Sequence, residues 1–157
     1  MEILVRPFHP HDYPRLAKIR CEAEGEDATV EDIRRYDERW DYARYEKVRV
    51  VAQDEEGVAI GYGELHHEPD RFDPRAYFLR LAVDPAYHRR GVATAIWEQI
   101  QGELEERSAT VVRVRTEEGS PGAAWARRQR FVRSGGDLTT GQASFELRLG
   151  RSAPPSR

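Results

Sequence analysis

Apolar positions change their period several times along the chain, and each change marks an element. EILVRPF, residues 2–8, is a short extended run, and HPHDYPRLAKIRCEAE then carries Tyr13, Leu16 and Ile19 at helical spacing. Thr29, with Asp32 three positions on, forms a capping signal for a second helix along which Ile33, Tyr36, Trp40 and Ala43 recur. KVRVVAQ, the turn DEEG and VAIGYGELHH read as an antiparallel hairpin. RAYFLRLAV is apolar on both faces, as a central strand covered on two sides would be. A helix follows to Arg107, with Val92, Ile96, Ile100 and Leu104 at every fourth position. TVVRVR is a further strand, SPGAAWARRQR a short helix, and FVRSGGDL and ASFELRL two closing strands around TTGQ. The order β-α-α-β-β-β-α-β-α-β-β predicts one mixed α/β domain over residues 1–150, with a sheet of about seven strands flanked by about four helices. Residues 151–157, with two prolines and two serines, are expected to form a flexible tail or linker.

Composition narrows the class. The 157 residues fit a single core, the lone Cys21 excludes a disulfide framework, and no apolar run reaches the length of a membrane span. Cys21 lies on the first helix with no evident histidine partner, so a buried or half-buried structural thiol is expected. MEILVRPFHP lacks the basic end and long apolar stretch of a signal peptide, which points to a cytoplasmic protein without a membrane partner. A net charge of -3 argues against nucleic acid as a partner. His66, His67 and Glu68, with His9 and His11, suggest a metal until strand alternation is applied: adjacent strand histidines point to opposite faces, so no metal is expected.

The stretch LAVDPAYHRRGVATAIWEQI, residues 81–100, joins a strand to a helix through a basic turn. Asp84-Pro85 stops the strand, Gly91 stands where the backbone must tighten, and the helix that follows opens with N–H groups lacking intrahelical partners. With Arg89 and Arg90 beside them, these donors suit a pyrophosphate, although the G-x-G-x-x-G spacing of dinucleotide loops is absent. An ordinary strand-to-helix connection with solvated arginines has the same composition.

This stretch resembles the acyl-CoA-binding motif of the GNAT N-acetyltransferase superfamily, L-x-V-x-P-x-[YF]-[QR]-x-x-G-x-[GA]. It matches at Leu81, Val83, Pro85, Tyr87, Gly91 and Ala93 and departs at His88. The order of elements matches too, and GAAWARRQRFV sits where the family has its fourth helix and the next strand. The resemblance implies a GNAT-like, mostly antiparallel sheet in which a bulged strand 4 splays from strand 5. It implies acetyl-CoA as co-substrate and no metal. The backbone of Leu81, Ala82 and Val83 would meet pantetheine and the thioester, with an N–H near Val83 as oxyanion donor. His88, Arg89, Arg90, Gly91, Val92, Ala93 and Thr94 would hold the pyrophosphate. RRQRFVR is then a solvated helix end or a contact for a CoA phosphate.

The implied activity is transfer of an acetyl group to an amine by direct attack in a ternary complex. The family pattern A-x-x-[FL]-Y-x-x-x-G-F, aligned on Phe131, places Ala126 where a tyrosine acid belongs and Arg130 where glycine belongs. General acids contribute about 10²–10⁴ in rate, so an enzyme survives their loss, while a non-catalytic acyl-CoA sensor or regulatory domain is the alternative. Candidate proton acceptors are Glu64 and His66 on one strand face and Tyr77 on the next strand, where some relatives carry a glutamate. CEAEGEDATVED carries six acidic residues and no basic one; Glu24, Glu26 and Asp27 either wall a cleft for a cationic amine, small-molecule or peptide, or form a solvated loop. A homodimer is a further expected partner arrangement.

Overall fold

A computed structural model of the protein describes residues 1–137 and 139–150; the expected tail over 151–157 lies outside the described residues. The chain runs β1 (Leu4–Pro7), α1 (Tyr13–Glu24), α2 (Val30–Arg39), β2 (Lys47–Gln53), β3 (Ala59–His66), β4 (Ala76–Val83), α3 (Val92–Glu106), β5 (Val111–Glu117), α4 (Pro121–Arg128), β6 (Val132–Asp137) and β7 (Gln142–Arg148). This is the order that the hydrophobic pattern predicts. The seven strands form one sheet in the order β1-β2-β3-β4-β5-β7-β6. Every pairing is antiparallel except that of β4 with β5.

Local chemistry fixes the helix ends. Thr29 Oγ1 accepts from Asp32 N–H and the Asp32 carboxylate accepts from Thr29 N–H, both at 3.1 Å, which starts α2. The helix stops at Arg39, earlier than the Tyr36, Trp40, Ala43 spacing suggests: Trp40 is extended and donates Nε1–H to Tyr45 O at 2.8 Å. α4 closes in a Schellman turn, with Arg130 N–H bonded to Arg127 O and Phe131 N–H to Ala126 O. Arg130 holds the left-handed φ of 74° that this turn requires. Cys21 is exposed rather than buried, because α1 turns Leu16, Ala17, Ile19 and Arg20 inward.

The two faces of the sheet carry different layers. α3 and α4 cover one, with Val92, Ile96, Ile100, Leu104, Ala123 and Ala126 buried and the rings of Trp97, Trp125 and Phe131 within 5.6–6.0 Å of one another. α1 and α2 cover the other, around Leu16, Ile19, Ile33, Val51 and Tyr62. α3 lies against β3 because that strand offers glycine at the contact: a Cβ at Gly63 would stand 2.6 Å from Ile96 Cγ2.

β4 and β5 share three residue pairs, Ala76↔Val111, Tyr77↔Val112 and Phe78↔Arg113, and then separate. The expected splay is therefore present. The expected bulge is not seen in the pairing of β4 with β3, which stays in register from Gly61↔Val83 to His66↔Phe78. Side chains accordingly alternate without interruption along β4.

Candidate functional site

The gap between β4 and β5 is the first component. Asp84 N–H bonds Ile60 O at 2.8 Å, so alternation in an antiparallel pair commits Ala82 and Arg80 to the β3 ladder and turns the main chain of Leu81 and Val83 toward the open side. Of the three residues singled out on this strand, Leu81 thus turns a free N–H and C=O to the open side, Val83 a free N–H, and Ala82 neither. His88 Nε2 lies 3.2 Å from Val83 O and, facing a carbonyl, acts as donor there.

The loop at the mouth of the gap is the second. Asp84 Oδ1 accepts from Ala86 N–H at 2.9 Å, and its Oδ2 takes Arg15 Nη2 at 2.7 Å, which pins the turn Pro85–Tyr87. The N–H of His88 is taken by Pro85 O. Among the described residues, none accepts from the N–H groups of Arg89, Arg90, Gly91, Val92, Ala93 or Thr94; the first α3 acceptor of a main-chain bond, Gly91 O, receives Ala95. Arg89 and Gly91 take left-handed φ values of 63° and 84°. A Cβ at Gly91 would meet nothing within 4 Å, so its surroundings are open to a ligand. Consecutive unpaired N–H groups at the positive end of a 15-residue helix form a cradle for an anion. Free strand backbone leading to this cradle fits a pantetheine arm ending in a pyrophosphate.

Behind the gap, on the α1 and α2 side, the sheet carries a row of charges. Arg49, Glu64 and Arg80 are direct neighbours across β2, β3 and β4. Arg49 donates to Glu64 Oε1 at 2.7 Å and to both oxygens of Asp37 at 2.9 and 3.0 Å. Lys47 bonds Asp37 as well, and its ammonium lies over the rings of Tyr36 and Trp40 at 4.5 and 5.2 Å. Burial would raise the carboxyls of Glu64 and Asp37, but Arg49 outweighs it, aided by Arg20 at Glu64 and by Lys47 and Tyr13 at Asp37; both stay below their ordinary values. Burial lowers the Lys47 ammonium despite Asp37.

The structure separates the three candidate proton acceptors. Glu64 and His66 share the α1 and α2 face, as alternation predicts, but Tyr77 lies on the other face, in the core under α3. A one-residue bulge would have flipped it; the continuous register does not. Tyr77 stacks on His67 at 4.4 Å, donates to Glu46 at 3.2 Å, and is pushed up to about 12 by burial and then by the Glu46 charge. Glu64 is 1% exposed and paired with guanidinium. His66 is half-buried between Trp40 and Phe78, and its Nδ1 lies 2.8 Å from His67 O. A carbonyl only accepts, so Nδ1 carries a proton in this contact, and in the neutral ring the lone pair is then on Nε2.

In the acidic segment, Glu24 and Glu26 both contact Arg80, Glu24 also accepts from Tyr62 OH at 2.7 Å, and Asp27 is exposed. Ala126 is wholly buried against the α3 side of the core. Arg20, Arg49 and Arg80 join the site without being singled out by any motif; for Arg49 and Arg80 the available signal is a single charge inside a strand otherwise apolar enough to be buried. Among the described residues no group of three or more potential ligands is placed to hold a metal ion, and no helix is long and apolar enough to cross a membrane.

Residues 13–128 match the family model described as the acetyltransferase (GNAT) family. No sequence among the curated proteins matches the chain. Among solved structures, the chain is similar to Ard1 from Thermoplasma volcanium, with a TM-score of 0.79 at 15% identity over 96% of this chain and 100% of that one. It is similar to yncA, a putative acetyltransferase from Salmonella typhimurium with its cofactor acetyl-CoA, at 0.77 and 17% identity over 98% of both chains. PaiA N-acetyltransferase from Thermoplasma acidophilum, in complex with coenzyme A, gives 0.76 and 15% over 95% of this chain and 100% of that one. At these identities the likeness is one of fold.

Proposed function

Since the chain belongs to the acetyltransferase (GNAT) family, we propose that it moves an acetyl group from acetyl-CoA to an amine, by direct attack with both substrates bound. The observation that carries this reading is the pairing of free Leu81 and Val83 backbone with the bare N-terminus of α3 at Gly91. Acetyl-CoA supplies the activated acyl group. Leu81 and Val83 bind the pantetheine arm, one of their N–H groups polarises the thioester carbonyl, and the N–H groups of Arg89 to Thr94 hold the pyrophosphate. Arg89 and Arg90 add positive charge at the loop.

The amine comes from the α1 and α2 side. It must lose a proton, which for a lysine-like group of pKa about 10.4 costs on the order of 4–5 kcal/mol near pH 7. Tyr77 faces away, and Glu64 is held ionised as a weak base by Arg49 and Arg20. We assign the proton to Nε2 of His66, whose Nδ1–H contact fixes the required tautomer. His66→Gln is expected to lower kcat about 10²-fold while leaving acetyl-CoA affinity unchanged; equal losses in kcat and affinity would remove His66 from this role.

The test of the whole reading is calorimetric titration with acetyl-CoA, then thiol release in the same solution across a panel of amines that includes peptide N-termini. Micromolar binding with amine-dependent thiol release supports it, and absence of binding overturns it. A buried Ala126 where the family pattern has its acid favours a second reading, an acyl-CoA-binding regulatory domain. Binding without turnover for any amine would select that one.

A further inference from the structure

The charges beneath the gap do not balance until a loop residue joins them. Arg20, Lys47, Arg49 and Arg80 are the cations linked in this row, and Asp37, Glu64 and Glu24 are the carboxylates that helices and strands fix against them, while the neighbouring pairs Arg6–Asp12 and Arg15–Asp84 balance themselves. Glu24 is held on a second side by Tyr62 OH. The fourth carboxylate, Glu26, comes from the segment beyond the left-handed Gly25 that ends α1, and its side chain bonds Arg80 alone among the described residues. Among the described residues Arg80 makes its hydrogen bonds through Nη2, and the donors on its Nε and Nη1 have no partner there. Arg20 Nη2, buried and 3.7 Å from Glu64 Oε1, has no hydrogen-bond partner among the described residues. One anion beyond the fixed set is accommodated here, and a guanidinium with an open fork is the group best shaped to receive a carboxylate.

Arg80 immediately precedes Leu81, and its side chain stands on the same face as Glu64 and His66. We infer that the amine acceptor is a zwitterion, a free α-amino acid or a similar amine with a neighbouring carboxylate, and that Arg80 binds the carboxylate while Glu26 occupies that place between turnovers. This rests on the acyl-transfer reading and deepens it. The acidic segment then divides its work, since Glu26 competes with the acceptor for Arg80 and Asp27 is left to attract the ammonium.

The experiment compares matched pairs on the full-length protein, each an α-amino acid and its decarboxylated amine, by kcat/KM from thiol release. The wild type should prefer the amino acid by about tenfold or more. Arg80→Met should abolish that preference by raising KM for the amino acid at least about tenfold more than KM for the plain amine. Glu26→Gln should lower KM for the amino acid several-fold relative to KM for the plain amine. A wild-type preference for the decarboxylated amine, or a preference that persists in Arg80→Met, overturns the inference. Because Arg80→Met can disturb folding, Arg80→Lys provides a control: a charge without a fork should retain part of the preference.

A second arm needs no turnover. In the presence of coenzyme A, calorimetry should show the N-acetyl amino acid binding at least about tenfold more tightly than the matching N-acetyl amine. Equal affinities overturn the assignment of Arg80 even when acetyl-CoA binds normally. Failure of acetyl-CoA to bind instead removes the acyl-transfer reading on which it stands.

Discussion

Arg49 is the residue on which the charged row of the α1 and α2 face of the sheet depends. It is 8% exposed and is bonded to two carboxylates, so Arg49→Met leaves Asp37 and Glu64 buried beside one fewer cation and is expected to cost about 3–5 kcal/mol. Both carboxyls are lowered by folding; each therefore stabilises the protein fully above its unfolded value and loses that contribution as pH falls through the folded one. Thermal melting of the wild type should be level from neutral pH to about 5 and decline below about 4. The deficit of Arg49→Met should shrink over the same acid range, because carboxyls lacking their cation prefer to be neutral; a deficit independent of pH would show that packing, not charge, is lost. Arg130 makes the opposite case. Its left-handed φ carries a penalty of about 1–2 kcal/mol for a residue with a Cβ, so Arg130→Gly should raise the melting temperature by about 2–8 °C. The glycine expected from the family pattern is legible as a departure in the sequence, and the retained turn shows that the backbone keeps the conformation without the residue that suits it. Cys21 departs from its expected burial because a helix exposes one side whatever its composition, and the inward side here includes Arg20, a residue whose charge suggests the outside.

Elements are legible where the period is clean. The four-residue spacing from Val92 to Leu104 is the buried face of α3, and the Thr29–Asp32 pair is the reciprocal cap of α2. The pattern overextends α2 because Trp40 and Ala43 continue the period after the backbone has turned, and aromatic packing of Trp40 on Tyr45 and His66 rather than helix geometry sets that spacing. Strand register is beyond the reach of composition, since a bulge needs one unpaired residue and no residue type marks it; hence the face of β4 that Tyr77 takes is not legible in the sequence. The glycines of β3 carry a packing signal that periodicity does not score. They admit α3 to within contact, so Gly63→Ala, meeting Ile96 at 2.6 Å, should destabilise by about 1–3 kcal/mol. Gly91→Glu tests the other end of α3. Open space leaves room for the side chain while the positive φ strains the loop, and that strain together with the added charge should weaken acetyl-CoA by about tenfold or more. Unchanged affinity in that variant would remove the loop from the cofactor site.

At the scale of the molecule the sheet separates the loop donors and α3 from the Arg49, Glu64, Arg80 row, and on the proposed reading it thereby divides cofactor from acceptor. A ligand lying along β4 adds to a fold that already exists, so acetyl-CoA at about 100 times its Kd should stabilise by about 2.7 kcal/mol and raise the melting temperature by about 5–10 °C. Coenzyme A without the acetyl group should give most of that rise, since on the proposed reading pantetheine and pyrophosphate make most of the contacts. The three residue pairs between β4 and β5 have a further consequence in hydrogen exchange. Two strands so briefly joined should let the β5-β7-β6 half, with α4, open at a lower free energy than the β1-to-β4 half, and the Leu81 and Val83 amides belong to neither ladder. Those two amides should exchange rapidly in the free protein, ahead of Ala82 between them, and acetyl-CoA should slow them while bringing the two halves to a common opening free energy: the cofactor acts as the missing rungs of the sheet.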